Sequence, residues 1–502
     1  MFRDDRTLTP EMFAFSPRDL VNIESDTWLY IDLFDTLDLS AFSGDYAPRG
    51  EEPLHPVLIL RTLFYGLTHG IVTGRKLEDA CRFDNRFIVL SGDQKPSYRT
   101  FYRFLIRHQE RLNELFVQVV RLAQKMGLAS LGRVAIDGSR FKANTSRHKA
   151  MSYERMQKAV KEIGAELEKL RADLAEQNGK EPTETTLPQE IQRREERLAK
   201  IQAAKEALEK EAETEPEAKA QKSFADLDAL PMAKPKDGFM YGYNCQAAVD
   251  GDHQIIVAAE IHPSAADTEA LIPVLDKVEQ NCGQLPEQYL ADAGYKSIEN
   301  LEAVQSKGVT ALIAIGKGEF NPERSHLEGL QWDEGANGYR CPADKLIPTK
   351  YRRQDGRVAL RLGEPFCRDC PQMASCPLYA FSRGKDIVGV PKETHRQLIV
   401  EHQQRMRSEE GRAIYKRRKV IVEPVFGNLK NKGLLIRVRG NKNVSRWWKM
   451  VCTAHNLEKI IALSGAVVVL GKRIGEKIGY WLFGLRPNSQ YPKFRTLCVP
   501  SS

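Results

Sequence analysis

The chain has 502 residues, 42% of them hydrophobic, and its 75 Lys and Arg against 67 Asp and Glu leave a formal charge of +8. That composition is that of a large globular protein and excludes a disordered one, and the length calls for two or three folded units. The charge is concentrated: residues 401–450 hold 14 basic and 4 acidic side chains, 14 − 4 = +10, so the remainder is close to neutral. Such a patch neutralises phosphates and releases counterions, which makes nucleic acid the first expected partner.

The opening "MFRDDRTLTPEMFAF" mixes acids with bases and has no apolar run of signal-peptide length, so secretion is not expected. Nine cysteines, odd in number and mostly isolated, point to a reducing compartment, and a cytoplasmic address follows. Near the other end, "IIALSGAVVVLGKRIGEKIGYWLFG" is broken by Lys472, Arg473, Glu476 and Lys477 before it reaches bilayer length; it reads as a buried or partner-facing helix within a C-terminal helix and tail, 461–502.

Residues 1–128 read as a helical N-terminal domain. "HPVLILRTLFYGLTHG" starts with Pro56 at a first helical position, "GRKLEDACRFD" is short and polar, and "SYRTFYRFLIRHQERLNELFVQVVRLAQKMG" predicts one long helix capped by Ser97. A short helix, a turn and an Arg- and Tyr-bearing helix are compatible with a helix-turn-helix DNA reader and equally with a plain bundle.

From Leu131 the texture changes. "GRVAIDGSRFKAN" is a strand signal ending in Asp137-Gly138, and "GYNCQAAVDGDHQIIVAAEIHPSAAD" reads as a hairpin turning at its Asp-Gly pair. There follow a helix over "DTEALIPVLDKVEQNCG", a strand delivering Asp292, a helix over "SIENLEAVQSKG" and a strand over "VTALIAIG". Strands first and strand-helix alternation afterwards predict an α+β, mixed sheet with helices packed on it, residues 129–460. Two insertions interrupt it. Residues 151–222 carry Met156, Val160, Ile163, Leu167, Leu170 and Leu174 at coiled-coil spacing, an antiparallel helical hairpin serving as spacer or dimerisation arm. Residues 317–395 are Cys-rich: Cys341, then Cys367, Cys370 and Cys376, whose Cys-x-x-Cys step matches structural zinc, a lone redox pair being the alternative.

Asp137 and Asp292 each close an apolar run and are followed by small residues, "DGS" and "DAGY", a place where a sheet displays function and also where ordinary turns occur. Glu423 stands alone among cations in "YKRRKVIVEPVFGNLKNKG", either an ion-pair hub or a third member of a carboxylate set. Carboxylates meeting at one point hold Mg²⁺ through oxygen, and flanking Lys and Arg hold the phosphates beside a scissile bond. Arg437 and Arg439, alternating in "LLIRVRG", suit phosphate contact, while of Trp447 and Trp448 at least one belongs to the core.

"AIDGS", "LADAGY" and Tyr415…Arg418…Glu423…Lys430 resemble the three blocks of the DDE-type transposases of bacterial insertion sequences, over about Arg133 to Leu457, and the helical region before them is similar to the N-terminal domain those enzymes carry. The resemblance implies a ribonuclease-H-like mixed β-sheet flanked by helices, with Asp137, Asp292 and Glu423 as a catalytic triad holding Mg²⁺ or Mn²⁺. It further implies a DNA-contacting set of Tyr415, Lys416, Arg417, Arg418, Lys419 and Lys430, DNA ends and target as substrate, and a homo-oligomer handling two ends, associated with the nucleoid. The chain departs from the family pattern in one spacing: four residues lie between Arg418 and Glu423 instead of three, which leaves Arg418 and Lys419 both as claimants to the arginine's role. The implied chemistry is strand cleavage by activated water followed by attack of the freed 3′-hydroxyl on target DNA; a DNA-binding protein without catalysis and a nuclease that cuts without joining are the other readings.

Overall fold

The computed structural model describes residues 17–474 apart from residue 23 and residues 45–53, 178–185, 213–214, 235–237, 317–329, 353–357, 362–366, 377–378, 380–385 and 390–392. Two compact units result. One comprises the described residues up to Ala129 with Leu429–Leu434 and those from Lys449 on; the other comprises Ser130–Asn428 with Leu435–Trp448.

The first unit is helical. Helices Asp26–Asp35, Pro56–Thr68, Gly74–Phe83, Asn85–Leu90, Tyr98–Arg107 and Gln109–Lys125 bury Phe34, Leu60, Phe64, Phe101 and Leu115, which are large apolar groups whose removal from water drives the packing. Ser97 caps the Tyr98 helix by accepting from the Thr100 N–H, as its sequence predicts. The expected single long helix is instead broken at His108, whose ring is buried against Phe42 and Phe104, with centroids 5.3 and 4.5 Å apart. Turning the chain there seats an aromatic group that a continuous helix would carry elsewhere.

The second unit is built on a mixed sheet. Its strands are β1 (Arg133–Lys142), β4 (Leu230–Lys234), β5 (Gly238–Asp250), β6 (Ile256–His262), β7 (Gln288–Ala291) and β8 (Thr310–Ile313), while β2 (Ala150–Ser152) and β3 (Gln221–Ser223) form a separate pair. The order is β4-β5-β1-β7-β8, with β6 also on β5; β5 runs antiparallel to β1 and β6, and β7 and β8 run parallel to β1. Apolar runs bury most of β5 and β7 and the Val134–Ile136 stretch of β1, as expected of strands covered on both faces, while Arg140 and Lys142 at the far end of β1 are exposed. β1 does not end at Asp137-Gly138: thirteen-residue β5 keeps pairing with it as far as Lys142 opposite Gly242.

Two helices, Tyr153–Gln177 and Thr186–Glu211, lie antiparallel, with Tyr153 donating to Glu209 and Arg171 to Glu195. Met156, Ile201 and Ala204 are fully buried between them. Among the described residues between 331 and 389 is a feature the sequence did not announce, a five-stranded antiparallel sheet in the order β13-β12-β11-β10-β9. Its members are β9 (Gln331–Asp333), β10 (Gly338–Arg340), β11 (Leu346–Arg352), β12 (Val358–Arg361) and β13 (Asp386–Gly389).

Helices Glu393–Arg407, Glu409–Asn431 and Asn441–Ile474 are the last of the described elements. Pro424 lies inside the second of these and cannot donate to the Val420 carbonyl four residues earlier. Gln254, in the turn between β5 and β6, supplies the missing donor, Nε2 to Val420 O at 2.8 Å, so the helix bearing Glu423 runs on and is tied to the sheet. Among the described residues no helix is long and apolar enough to cross a membrane; residues 475–502, part of the predicted C-terminal tail, lie outside them.

Candidate active site

Adjacent parallel strands carry the two aspartates. Ala135 of β1 lies opposite Leu290 of β7, so two residues further on Asp137 comes beside Asp292, the first position after β7. Neighbouring strands are about 4.8 Å apart, which brings both carboxylates to one edge of the sheet. The Gly138 N–H donates to Asp137 Oδ1 at 2.9 Å and the Gly294 N–H to Asp292 Oδ1 at 2.7 Å, fixing both side chains through the small residues the sequence places after them.

Arg418, from the helix Glu409–Asn431, enters between them. Its Nη2 is 3.2 Å from Asp137 Oδ2 and 3.7 Å from Asp292 Oδ2, and its side chain is 8% exposed against 23% and 43% for the aspartates. Burial lifts the Asp137 carboxyl above the ordinary carboxylate range, opposed by the guanidinium and the Gly138 N–H and reinforced by Asp292 and Asp267. Tyr415, one turn before Arg418, is half-buried; burial raises its hydroxyl too, against the guanidinium that hydrogen-bonds it. Tyr415, Arg418, Asp137 and Asp292 thus form one electrostatic group. Two carboxylates drawn around a positive charge are a hard-oxygen donor set, the kind a divalent cation takes.

Glu423 is not drawn into that group. It is exposed five residues beyond Arg418, roughly 140° round the helix and about 7.5 Å along it. Among the described residues no set of three or more His, Cys, Asp or Glu closes to metal-binding reach. Of the cations the sequence offers to DNA, Lys416, Arg417, Lys419 and Lys430 are exposed on the same helix, whereas Arg418 is buried and ion-paired. Arg437 and Arg439 are exposed, with Arg439 Nε donating to Asn144 O at 2.9 Å. Trp448 is fully buried, stacked on Phe426 with Nε1 donating to Gln246 O, the core role expected for one of the two tryptophans.

A third carboxylate that sequence reading passed over does stand near the aspartates. Asp267 Oδ1 accepts from Asn244 Nδ2 at 2.9 Å and Gln246 Nε2 at 2.8 Å beside Gly138. Its signal in sequence is only an acid ahead of a helix, the commonest of capping patterns.

The four cysteines Cys341, Cys367, Cys370 and Cys376 line one cavity. The Cys367 thiol is pushed up by burial and by the other three. Cys370 N donates to Cys367 O at 3.0 Å, closing the tight turn of the Cys-x-x-Cys step. None of these four cysteines is in a disulfide. In the helical unit, Tyr102, Arg103, Ile106 and Arg107 are exposed along one side of the Tyr98–Arg107 helix, and Tyr98 is flanked by Arg75 and Arg99 with guanidinium-to-ring distances of 5.5 and 5.8 Å.

Two family matches bear on this geometry. Residues 215–457 match the family described as Transposase DDE domain, and residues 19–107 match that described as Transposase domain (DUF772). The first includes Asp292 and Glu423 and begins beyond Asp137, whose place in the site comes from its register against β7 and its pairing with Arg418. No curated protein and no solved structure matches the chain. The matched DDE domain implies a ribonuclease-H-like fold for the mixed sheet. The chain belongs to the DDE-type transposases of insertion sequences, enzymes that cleave DNA strands and transfer them.

Proposed function

We propose that Asp137, Asp292 and Glu423 are the metal-holding carboxylates of this transposase and that Mg²⁺ or Mn²⁺ is the ion. The observation that carries the reading is the convergence of Asp137 and Asp292, from neighbouring strands, on the single cation Arg418. A bound divalent ion supplies an activated oxygen nucleophile and charge stabilisation at the leaving oxygen. The chain's own part is to hold the carboxylates, with Arg418 neutralising their repulsion and Tyr415 orienting Arg418. Exposed Lys416, Arg417, Lys419, Lys430, Arg437 and Arg439 hold phosphates on either side of the scissile bond. The test is cleavage of a labelled duplex carrying the element's ends, in Mg²⁺, by the wild type, Asp292→Asn and Glu423→Gln. Each substitution is expected to lower the rate roughly a hundredfold or more, the several kcal/mol a metal contributes, while DNA binding persists. Undiminished cleavage by Glu423→Gln removes Glu423 from the triad, and the same result for Asp292→Asn sinks the whole assignment. Joining of the freed end to target DNA in the same reaction separates a transposase from a nuclease.

The helical unit reads DNA through the Tyr98–Arg107 helix, whose exposed arginines and aromatics suit a duplex groove better than a bundle interior. Because two element ends must be processed together, the active species is a homo-oligomer on DNA, working in the nucleoid. Cys341, Cys367, Cys370 and Cys376 hold a structural zinc ion, a reading supported by the one cavity they line and by the chemistry of four thiols. Metal analysis of the purified protein should find about one zinc per chain, lost in Cys370→Ser together with thermal stability; zinc-free wild-type protein of full stability overturns this.

A further inference from the structure

Asp267 joins the two catalytic turns. Its Oδ1 accepts from both Asn244 and Gln246, side chains that project from β5 beside Gly138. The amides are themselves fixed: Gln246 Nε2 also donates to Asn244 Oδ1 at 2.9 Å, Asn244 Nδ2 donates to Ser264 O at 3.1 Å, and Tyr295 donates its hydroxyl to Gln246 Oε1 at 2.5 Å. Each amide therefore has one orientation, the one that presents N–H groups to Asp267.

The fit around this network is close. A Cβ at Gly138 would lie 2.4 Å from Gln246 Nε2 and 3.0 Å from Asp267 Oδ1, so only glycine lets β1 approach. On the other side, a Cβ at Gly294 would lie 3.0 Å from Asp292 Oδ1 and 3.8 Å from Asp267 Oδ2. The loop that carries Asp267 is fastened to the same turn, with Thr268 Oγ1 donating to Gly294 O at 2.9 Å and Asn300 Nδ2 to Thr268 O at 2.6 Å. Asp267 thus has one oxygen beside Gly138, the neighbour of Asp137, and the other on the side of Gly294, two residues past Asp292.

We infer that Asp267 is a positioning residue of the catalytic centre, locking the Asn244–Gln246 amide pair against Gly138 and so holding the Asp137 and Asp292 carboxylates at the spacing a divalent ion needs. The inference rests on the reading of those two aspartates as metal ligands. Residues that orient ligands without touching the metal typically change affinity by ten- to a hundredfold.

The experiment is Mn²⁺ binding to the full-length protein, followed by electron paramagnetic resonance of the free ion, for wild type, Asp267→Ala, Asp267→Asn and Asp137→Ala, with thermal melting to confirm folding. Asp267→Ala is expected to weaken Mn²⁺ about tenfold or more, and Asp267→Asn, which keeps an acceptor oxygen for the amide pair, to recover most of the loss. Asp267→Asn as weak as Asp267→Ala would make Asp267 a direct ligand and overturn the positioning role. Wild-type affinity in Asp267→Ala would overturn it as well. Should Asp267→Ala not fold, Gln246→Leu carries the same expectation, because it removes the bridge and leaves the charge. If Asp137→Ala also binds Mn²⁺ normally, the failure lies with the metal-ligand reading itself.

Discussion

His402 is buried in the helix Glu393–Arg407, with Nε2 accepting the Ile313 N–H of β8 at 3.3 Å. Burial, then Lys296 and Arg405, push its pKa down to about 3, so the folded protein keeps the ring neutral. Unfolded, the same ring titrates near 6.5. Since the unfolded state takes up the proton first, the stability due to the neutral ring is complete above pH 6.5 and is lost as pH falls from there toward 3. The slope is at most about 1.4 kcal/mol per pH unit for one proton. Thermal melts between pH 7.5 and 5 should show a shallower decline for His402→Gln than for the wild type, and equal slopes would sink the assignment. Single residues were unevenly legible. Asp137, Asp292 and Glu423 stand out in sequence because acids end apolar runs or interrupt basic ones, but Asp267 gains its meaning from Asn244 and Gln246, more than twenty residues earlier. In sequence Arg418 shares its claim with Lys419, one cation beside another in a basic run; the fold separates them by burying Arg418 between two aspartates and leaving Lys419 exposed.

Elements were read best where the chain itself carries the stop and start signals. The hairpin turning at Gly251, the helix ending at left-handed Gly283 and the helix capped by Ser297 follow from local chemistry. The misread elements depend on distant partners. β1 runs past Gly138 because long β5 continues beside it, and the helix predicted from Ser97 breaks because His108 has an aromatic nest to fill. The sheet of β9 to β13 escaped because its strands, such as QWD, GYR and LIPTKYR, carry neither a continuous apolar run nor a clean alternation. Pro424 shows the same dependence within one element. A proline usually starts or kinks a helix, yet with Gln254 satisfying the Val420 carbonyl the helix Glu409–Asn431 continues through Glu423.

At the scale of the whole molecule, charge separates the work. Residues 401–450 carry +10 of the net +8, so the rest sums to 8 − 10 = −2 and has no general attraction for DNA. Binding should therefore depend on a small set of exposed cations, and its salt dependence should count them. Each phosphate neutralised contributes about 0.9 to the slope of log affinity against log salt. Fluorescence anisotropy with a duplex carrying the element's ends, from 50 to 300 mM salt, is expected to give a slope lowered by about two in Lys416→Gln/Arg417→Gln, with affinity falling alike for unrelated duplexes. Arg103→Gln, on the exposed face of the Tyr98–Arg107 helix, should behave differently, losing preference for the element's ends over unrelated duplex. An unchanged slope in the double variant would show that the basic segment does not touch phosphate. Its lysines and arginines would then serve Arg418's surroundings alone, and the lone acid Glu423 would lose the strand that its neighbours are placed to hold.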